Sequence, residues 1–501
     1  MPETAFAKLH RHFYTITDLN GVGFLLKWDQ ATYMPPGGAA ARVRQLGLIK
    51  TLAHERLSSA ETGKLLEAAE KEVAGYAPES FEVSYVRVAR RDFERAVLLP
   101  TSLARRFSEH VAASYQTWTE ARAEDDFSRV RSLLETTLEL SREIAELHSS
   151  GGHLADPLIA EHDFGMTVAQ LRPLFTELRE TLVPMVRHLS AQNKPDDGFL
   201  RRHYPLETQF AFAKARVAEF GYDLSRGRLD PTHHPFAIEF SIDDVRITTR
   251  GREDYLPEAL FCTFHESGHG MYHQGLEPRF EGTPLADGAS AGVHESQSRL
   301  WENIVGRSRG FWSYAFPKLK SVFPEQLSGV SEEAFYRAVN VVTPSAIRTQ
   351  ADEVSYNLHV IIRFELELEL LEGRLAISEL PDAWRAKYAD LLGAEVSNDK
   401  DGVLQDVHWF SGPIGGAFQG YTLGNILSAQ FYEAACRAHP QIPHELEAGN
   451  FHTLYRWTRD TIHRHGRVYD PAHLIEQVCG TGIDPAPYLR YLQGKYGELY
   501  C

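Results

Sequence analysis

A chain of 501 residues, 43% hydrophobic and 24% charged, has the make-up of an ordinary globular protein with enough apolar side chains for a large core. Its formal charge of -16 argues against nucleic acid or an anionic membrane surface as a partner, and no apolar run is long enough to span a bilayer. No signal peptide opens it, and Cys262, Cys436, Cys479 and Cys501 lack paired spacing, so they read as reduced thiols of a cytoplasmic protein.

The first half is helix after helix. Apolar residues recur at i, i+3, i+4 and i+7 over Leu46 to Ala69, Phe81 to Leu98, Ser102 to Ala123, Phe127 to Leu147 and Val168 to Gln192. Pro100, Gly151-Gly152 and the polar run from Asn193 to Gly198 punctuate them. There is no internal repeat of solenoid length, and Gly37-Gly38 lacks the Lys-Ser/Thr ending of a phosphate loop. A β-ribbon interrupts the rhythm from Phe236 to Thr249, where Phe236, Ile238, Phe240 and Ile242 alternate with smaller or polar residues before Asp243-Asp244 turns into Val245 to Thr249. Such a ribbon is either an edge for an extended peptide or a small structural element.

The next helix carries chemistry. Leu256-Pro257-Glu258 opens it, and Leu260, Phe261 and Phe264 bury it. It runs into His265-Glu266-Ser267-Gly268-His269, in which the two histidines stand at i and i+4 on one face and can reach one ion. Glu266 projects beside that ion without binding it, where a base must sit to deprotonate a water. A short motif in a chain with 23 histidines carries a false-positive risk, so the third ligand matters. Tyr272 and Gly275 stand where the metzincin pattern requires Gly and His, which excludes that class. His273 is about two turns from His265 and cannot share its ion, and Cys262 reads as core. Glu295, opening an amphipathic segment from Glu295 to Val305, can complete a His-His-Glu set or form an i,i+4 ion pair with Arg299. Asp287 and His294 are the fallback ligands, and Glu302 is expected to be none.

Beyond a Gly- and Pro-rich loop from His273 to Gly292, Thr343-Pro344-Ser345 is read as the cap of a long helix to about Gly373. Arg348 and Asp352 then fall at i and i+4 on its first turns, as a groove residue and its orienting partner or as a solvated pair. Gly402 to Trp409 packs Asp406, His408 and Trp409 densely for a loop, although His408 also suits a core position.

Together these residues resemble the carboxypeptidase Taq family of thermostable metallocarboxypeptidases. The likeness rests on His265-Glu266-x-x-His269, Glu295 within His-Glu-Ser-Gln, His234-Pro235-Phe236, Asp244-x-Arg246-x-Thr248, Ile347-Arg348-x-x-Ala351-Asp352 and Gly402-x-x-Gln405-Asp406-x-His408-Trp409. With Trp28-Asp29-Gln30, Met34-Pro35 and the stretch from Tyr488 to Tyr500, it spans nearly the whole chain.

The resemblance implies a mainly α, two-lobed fold with a deep groove and a small β-ribbon beside the metal. We expect one catalytic domain over residues 1–501, with a helical N-terminal lobe to residue 200 and a zinc-site lobe over 201–501. It also implies a homodimer that removes single C-terminal residues from peptides, broadly but poorly for proline. Zinc, replaceable by cobalt or manganese, is expected on His265, His269 and Glu295, with Glu266 as base. Tyr421 or His234 would stabilise the oxyanion, Arg348 or else Arg246 would hold the terminal carboxylate, and His408 would line the substrate site. Where the family usually has a Pro followed by Ser or Thr before Tyr, this chain has Gln419-Gly420-Tyr421, which suggests a looser loop. The rival readings are an endo- or oligopeptidase with the same zinc set and a non-catalytic helical peptide-binding scaffold. The presence of Glu266 weighs against the latter, because a structural zinc needs no base.

Overall fold

The periodic stretches become helices largely where a side-chain oxygen accepts one of the backbone N–H groups that a helix leaves unpaired at its start. In the computed structural model, which describes residues 3–148 and 151–500, Thr4 caps α1 (Ala5–Thr32). Next comes α2 (Ala39–Leu57). Ser59 and Ser80 then cap α3 (Ala60–Val73) and α4 (Phe81–Leu98). The helix expected from Leu46 to Ala69 is thus two helices. Ser59 takes up extended backbone and accepts the Thr62 N–H, restarting the helix inside an unbroken apolar pattern. We did not expect α1. Leu9, Phe13 and Ile16 bury its first half, but Val22, Phe24 and Leu25 in its second half are exposed, which blurs the periodicity.

The chain continues through α5 (Thr101–Glu124), α6 (Ser128–Leu147), α7 (Asp156–His162), α8 (Val168–Ser190) and α9 (Leu206–Phe220); α5, α6 and α8 match expected helices to within two residues, while α7 and α9 are additional. A three-stranded sheet follows, with β1 (Leu229–Pro231), β2 (Ala237–Ser241) and β3 (Asp244–Thr249) in the order β1-β3-β2. The hairpin of β2 and β3 is the expected ribbon, bulged between Glu239 and Ser241, while β1 adds a parallel strand that Pro231 disguised.

The rest is helical. It comprises α10 (Leu256–Gln274), α11 (Ala291–Arg299) running into a π-type turn at Leu300–Val305, α12 (Arg309–Val322), α13 (Glu332–Ala338), α14 (Tyr356–Leu371) and α15 (Leu380–Leu392). The short α16 (His408–Ser411) and the long α17 (Gln419–Ala438) precede α18 (Ile442–Glu447), α19 (His452–Thr461), α20 (Pro471–Cys479) and α21 (Ala486–Tyr500). The fold is mainly α, and no described helix is long and apolar enough to cross a membrane. Cys262, Cys436 and Cys479 are free thiols, and Cys501 lies outside the described residues.

The main core crosses residue 200 without a break. Phe175 of α8 meets Phe364 of α14 edge-on at 4.8 Å, in the same cluster as Phe264 and Trp301. A separate core joins α1, α3 and α4 to Ile242, Leu276, Phe280 and Leu285, so the N-terminal helices pack as their own wall beside the sheet.

Candidate active site

Helix α10 is buried on nearly every side, and two features of its sequence set its place. Phe264 packs edge-on against Phe220 at 5.2 Å and Phe311 at 5.6 Å, contacts worth about 0.5–1.5 kcal/mol each beyond their area. Gly268 lets α11 come close, since a Cβ there would lie 2.4 Å from the Gln297 carbonyl oxygen. On the far side of α11, Gly424 of α17 does the same, because its Cβ would meet Glu295 Cγ at 2.4 Å. Both glycines answer to close packing and not to an unusual turn.

This packing brings His265, His269 and Glu295 together, with donor atoms within 4.8 Å of one another. The two imidazole Nε2 atoms are 3.2 Å apart, and Glu295 Oε2 lies 3.7 Å from the first and 3.5 Å from the second. Two imidazole nitrogens and one carboxylate form the donor set of a catalytic zinc, and these residues fit such an ion. The other Glu295 oxygen accepts from Arg299 Nε at 2.7 Å, so the ion pair and the ligand geometry coexist on one carboxylate. Burial alone would raise the Glu295 pKa, but Arg299 and the histidines outweigh it and hold the carboxyl well below its usual range.

Glu302 lies outside this donor group but touches it. It is no bystander, because Oε2 accepts from His265 Nδ1 at 2.8 Å and from Arg299 at 3.2 Å. That bond puts the His265 proton on Nδ1 and frees Nε2 as a ligand. Glu295, Arg299 and Glu302 at i, i+4 and i+7 share one face, a spacing from which Glu302 could have been found. Burial raises its pKa, yet Arg299 and His265 bring it down to about 2. Glu266 is 6% exposed, and burial pushes its pKa up, the direction a general base needs.

A second cluster comes from segments far apart in the chain. Arg348, 6% exposed, donates from Nη2 to Asp406 Oδ1 at 2.7 Å and from Nη1 to the Tyr356 hydroxyl at 3.1 Å. Arg363, fully buried, donates from Nε to the other Asp406 oxygen at 2.6 Å. Two guanidinium groups thus share one carboxylate and leave a net positive charge. His408 and Tyr421 close the cluster, with His408 Nε2 3.2 Å from the Tyr421 hydroxyl and the Arg348 guanidinium 5.2 Å from the Tyr421 ring centre. Burial lowers the His408 pKa to about 4, with Asp406 opposing the shift and the two arginines adding to it, so the ring is neutral at pH 7. Burial pushes the Tyr421 pKa up, with the Arg348 charge opposing the shift.

The helix read from Thr343 to about Gly373 starts later than expected, and its first third is not α-helical. Arg348 sits on a single 3-10 turn, Arg348–Gln350, and α14 starts only at Tyr356. Gln405 Oε1 takes the Arg348 N–H at 2.8 Å, and Asp352 accepts the N–H groups of Val354 and Ser355 at the entrance to α14. Asp352 is therefore a helix-entrance acceptor, and Asp406 is what orients Arg348. Arg246 does not join the cluster. Asp244 holds it through two bonds of 2.8 Å, and it lies between the rings of Trp28 and Phe240. His234 is exposed on the loop before β2. The loop expected to be loose at Gln419-Gly420 is held. Gln419 is fully buried at the start of α17 and donates to Asp163 at 3.0 Å and to the Gly416 carbonyl at 2.7 Å. Arg363 gives no signal in the sequence because it lies inside the apolar pattern of α14, and Asp163, which ends α7, because its partners Gln419 and Gly292 are remote in the chain.

Comparison with known proteins agrees with this architecture. The family model for carboxypeptidase Taq (M32) metallopeptidases matches residues 8–496. The chain is 42% identical to thermostable carboxypeptidase 1 of Thermus thermophilus, over 100% of this chain and 99% of that protein. It is 34% identical to carboxypeptidase 1 of Bacillus subtilis, over 95% of each. The crystal structure of the M32 carboxypeptidase from Deinococcus radiodurans R1 superposes with a TM-score of 0.97 at 49% identity, covering 99% of both chains. The chain belongs to the M32 carboxypeptidase Taq family and is a metallocarboxypeptidase, a hydrolase of peptide bonds.

Proposed function

We propose that this enzyme is zinc-dependent and removes single C-terminal residues from peptides, with broad side-chain tolerance and little activity on terminal proline. In this reading His265, His269 and Glu295 hold the ion, with cobalt or manganese able to replace it. A bound zinc supplies Lewis acidity to the scissile carbonyl and makes the attacking water more acidic. Glu266 takes the proton from that water and passes it to the leaving amine, a role favoured by its burial. Tyr421 donates to the developing oxyanion, with His408 hydrogen-bonded behind it, and exposed His234 is the alternative donor. Arg348 grips the terminal carboxylate. Arg246, bound to Asp244, is the weaker candidate.

The observation that carries this reading is the pair of buried arginines sharing Asp406, since an unbalanced buried cation beside Tyr421 calls for an anionic substrate group. An endopeptidase would have no use for it. We read the whole chain as one catalytic domain working on cytoplasmic peptides, and as a homodimer by its likeness to the family. The free thiols support the cytoplasmic setting. One peptide series tests the activity, in matched free-acid and amidated forms with varied last residues, analysed by mass spectrometry alongside the metal content of the enzyme. Single-residue steps from the free acids, a stop at proline and intact amides are expected. Internal cleavage of the amides would assign an endopeptidase instead.

A further inference from the structure

One turn beyond His269, a second group of donors repeats the pattern of the first. His273 Nε2 lies 2.8 Å from His294 Nε2 and 3.6 Å from Glu239 Oε2, and donor atoms of Glu239, His273 and Asp287 all fall within 4.8 Å of one another. The first site shows the same arrangement, two facing Nε2 atoms at 3.2 Å with a carboxylate oxygen 3.5 Å from one of them. The same two helices serve both. His265, His269 and His273 are spaced four apart along α10, and on α11 Glu295 faces the first group while its neighbour His294 faces the second.

Local contacts leave this group unsatisfied. His273 is 3% exposed, and among the described residues its Nε2, the nitrogen that faces Glu239, has only His294 Nε2 as a hydrogen-bond partner, while Asp287 accepts only the Gly288 N–H through Oδ1. Among the described residues His273 is the only ion-pair contact of Glu239, and neither Glu239 nor Asp287 pairs with a Lys or Arg. Arg467, which lines the same cavity of about 230 Å³ between α1 and β2, is taken by two bonds of 2.8 Å to Asp92. Two carboxylates with imidazole donors suit a divalent transition ion, and the cavity gives it a path from solvent.

We infer that Glu239, His273 and Asp287, with His294 as a neighbouring donor, form a second binding site for a zinc-class divalent cation, separate from the His265-His269-Glu295 set. Zinc-to-protein ratios, measured by elemental analysis after equilibrium dialysis over a range of free zinc, test it, with cobalt absorption spectra as a second readout. The wild type should take up two equivalents in separate steps. His273→Ala and Glu239→Gln should keep the first and lose the second. Asp287→Asn, at an exposed residue where an amide oxygen can still accept the Gly288 N–H, should weaken the second step at least ~10-fold. A wild type that saturates at one equivalent overturns the proposal, as does a second equivalent that persists unchanged in Asp287→Asn and His273→Ala.

Discussion

The two ends of the proposed active site are built in opposite ways. At the ligand end, His265, His269, Glu295 and Glu302 come from two adjacent helices, and each lies on the required face by simple helical spacing. At the arginine end, Arg348, Arg363, Asp406, His408 and Tyr421 come from a 3-10 turn, two long helices, a loop and a four-residue helix. The first end is crowded with carboxylates and suits a cation, whereas the second has more guanidinium than carboxylate and suits an anion. A peptide C-terminus needs both at once, with its carbonyl at one end and its carboxylate at the other.

Four experiments probe this polarity. Glu266→Gln should cause the largest change, a loss of ~10² to 10⁴ in kcat with metal content intact. Elemental analysis beside the kinetics checks it, and loss of the metal would show that Glu266 is a ligand. At the other end, Arg348→Ala should cost on the order of 2–5 kcal/mol in kcat/KM on free-acid peptides and change little on the poorly cleaved amides. If both substrates suffer alike, Arg348 is a packing residue. Glu302→Ala should weaken metal binding ~10- to 100-fold, short of the loss in Glu295→Ala, and competition with a chelator measures both. Equal retention of metal in the two variants would remove Glu295 from the ligand set.

The smallest effect concerns Glu367, which accepts from Trp409 Nε1 at 2.8 Å and so anchors the segment bearing Asp406 and His408. Burial raises its pKa to about 7, against the pull of that hydrogen bond. A carboxyl whose pKa rises on folding stabilises the fold fully below about pH 4.5 and loses that contribution as the pH climbs through 7. Denaturation midpoints of wild type and Glu367→Gln between pH 4.5 and 8 should therefore diverge, with the flatter profile in the variant. Parallel profiles would remove Glu367 from the account.

The same contrast explains what could be read from the sequence. The ligand end was legible because i, i+4 and i+7 relations hold whatever surrounds the helix. The contact of Glu302 with His265 could not be read there, because it depends on α11 lying against α10. The arginine end was legible as residue types and not as structure. Arg348 was found through family likeness, but its partner was sought four residues on in a helix that starts only beyond both of them. The true partner, Asp406, is brought in by the fold. Arg363 gave no sign at all, being one charged residue in the apolar run of α14. The break at Ser59 and the strand at Pro231 were lost for a similar reason, since a cap or an edge position is decided by neighbours outside any sequence window.

The glycines at 268 and 424 make α10, α11 and α17 a stack with almost no slack at the level of Glu295. A side chain in an open cleft can swing to suit ions of different radius, but one wedged between two backbones has its reach set in advance. Discrimination among metals is then a property of helix spacing, and distant substitutions that wedge these helices apart by a fraction of an ångström would retune ion preference while leaving every ligand in place.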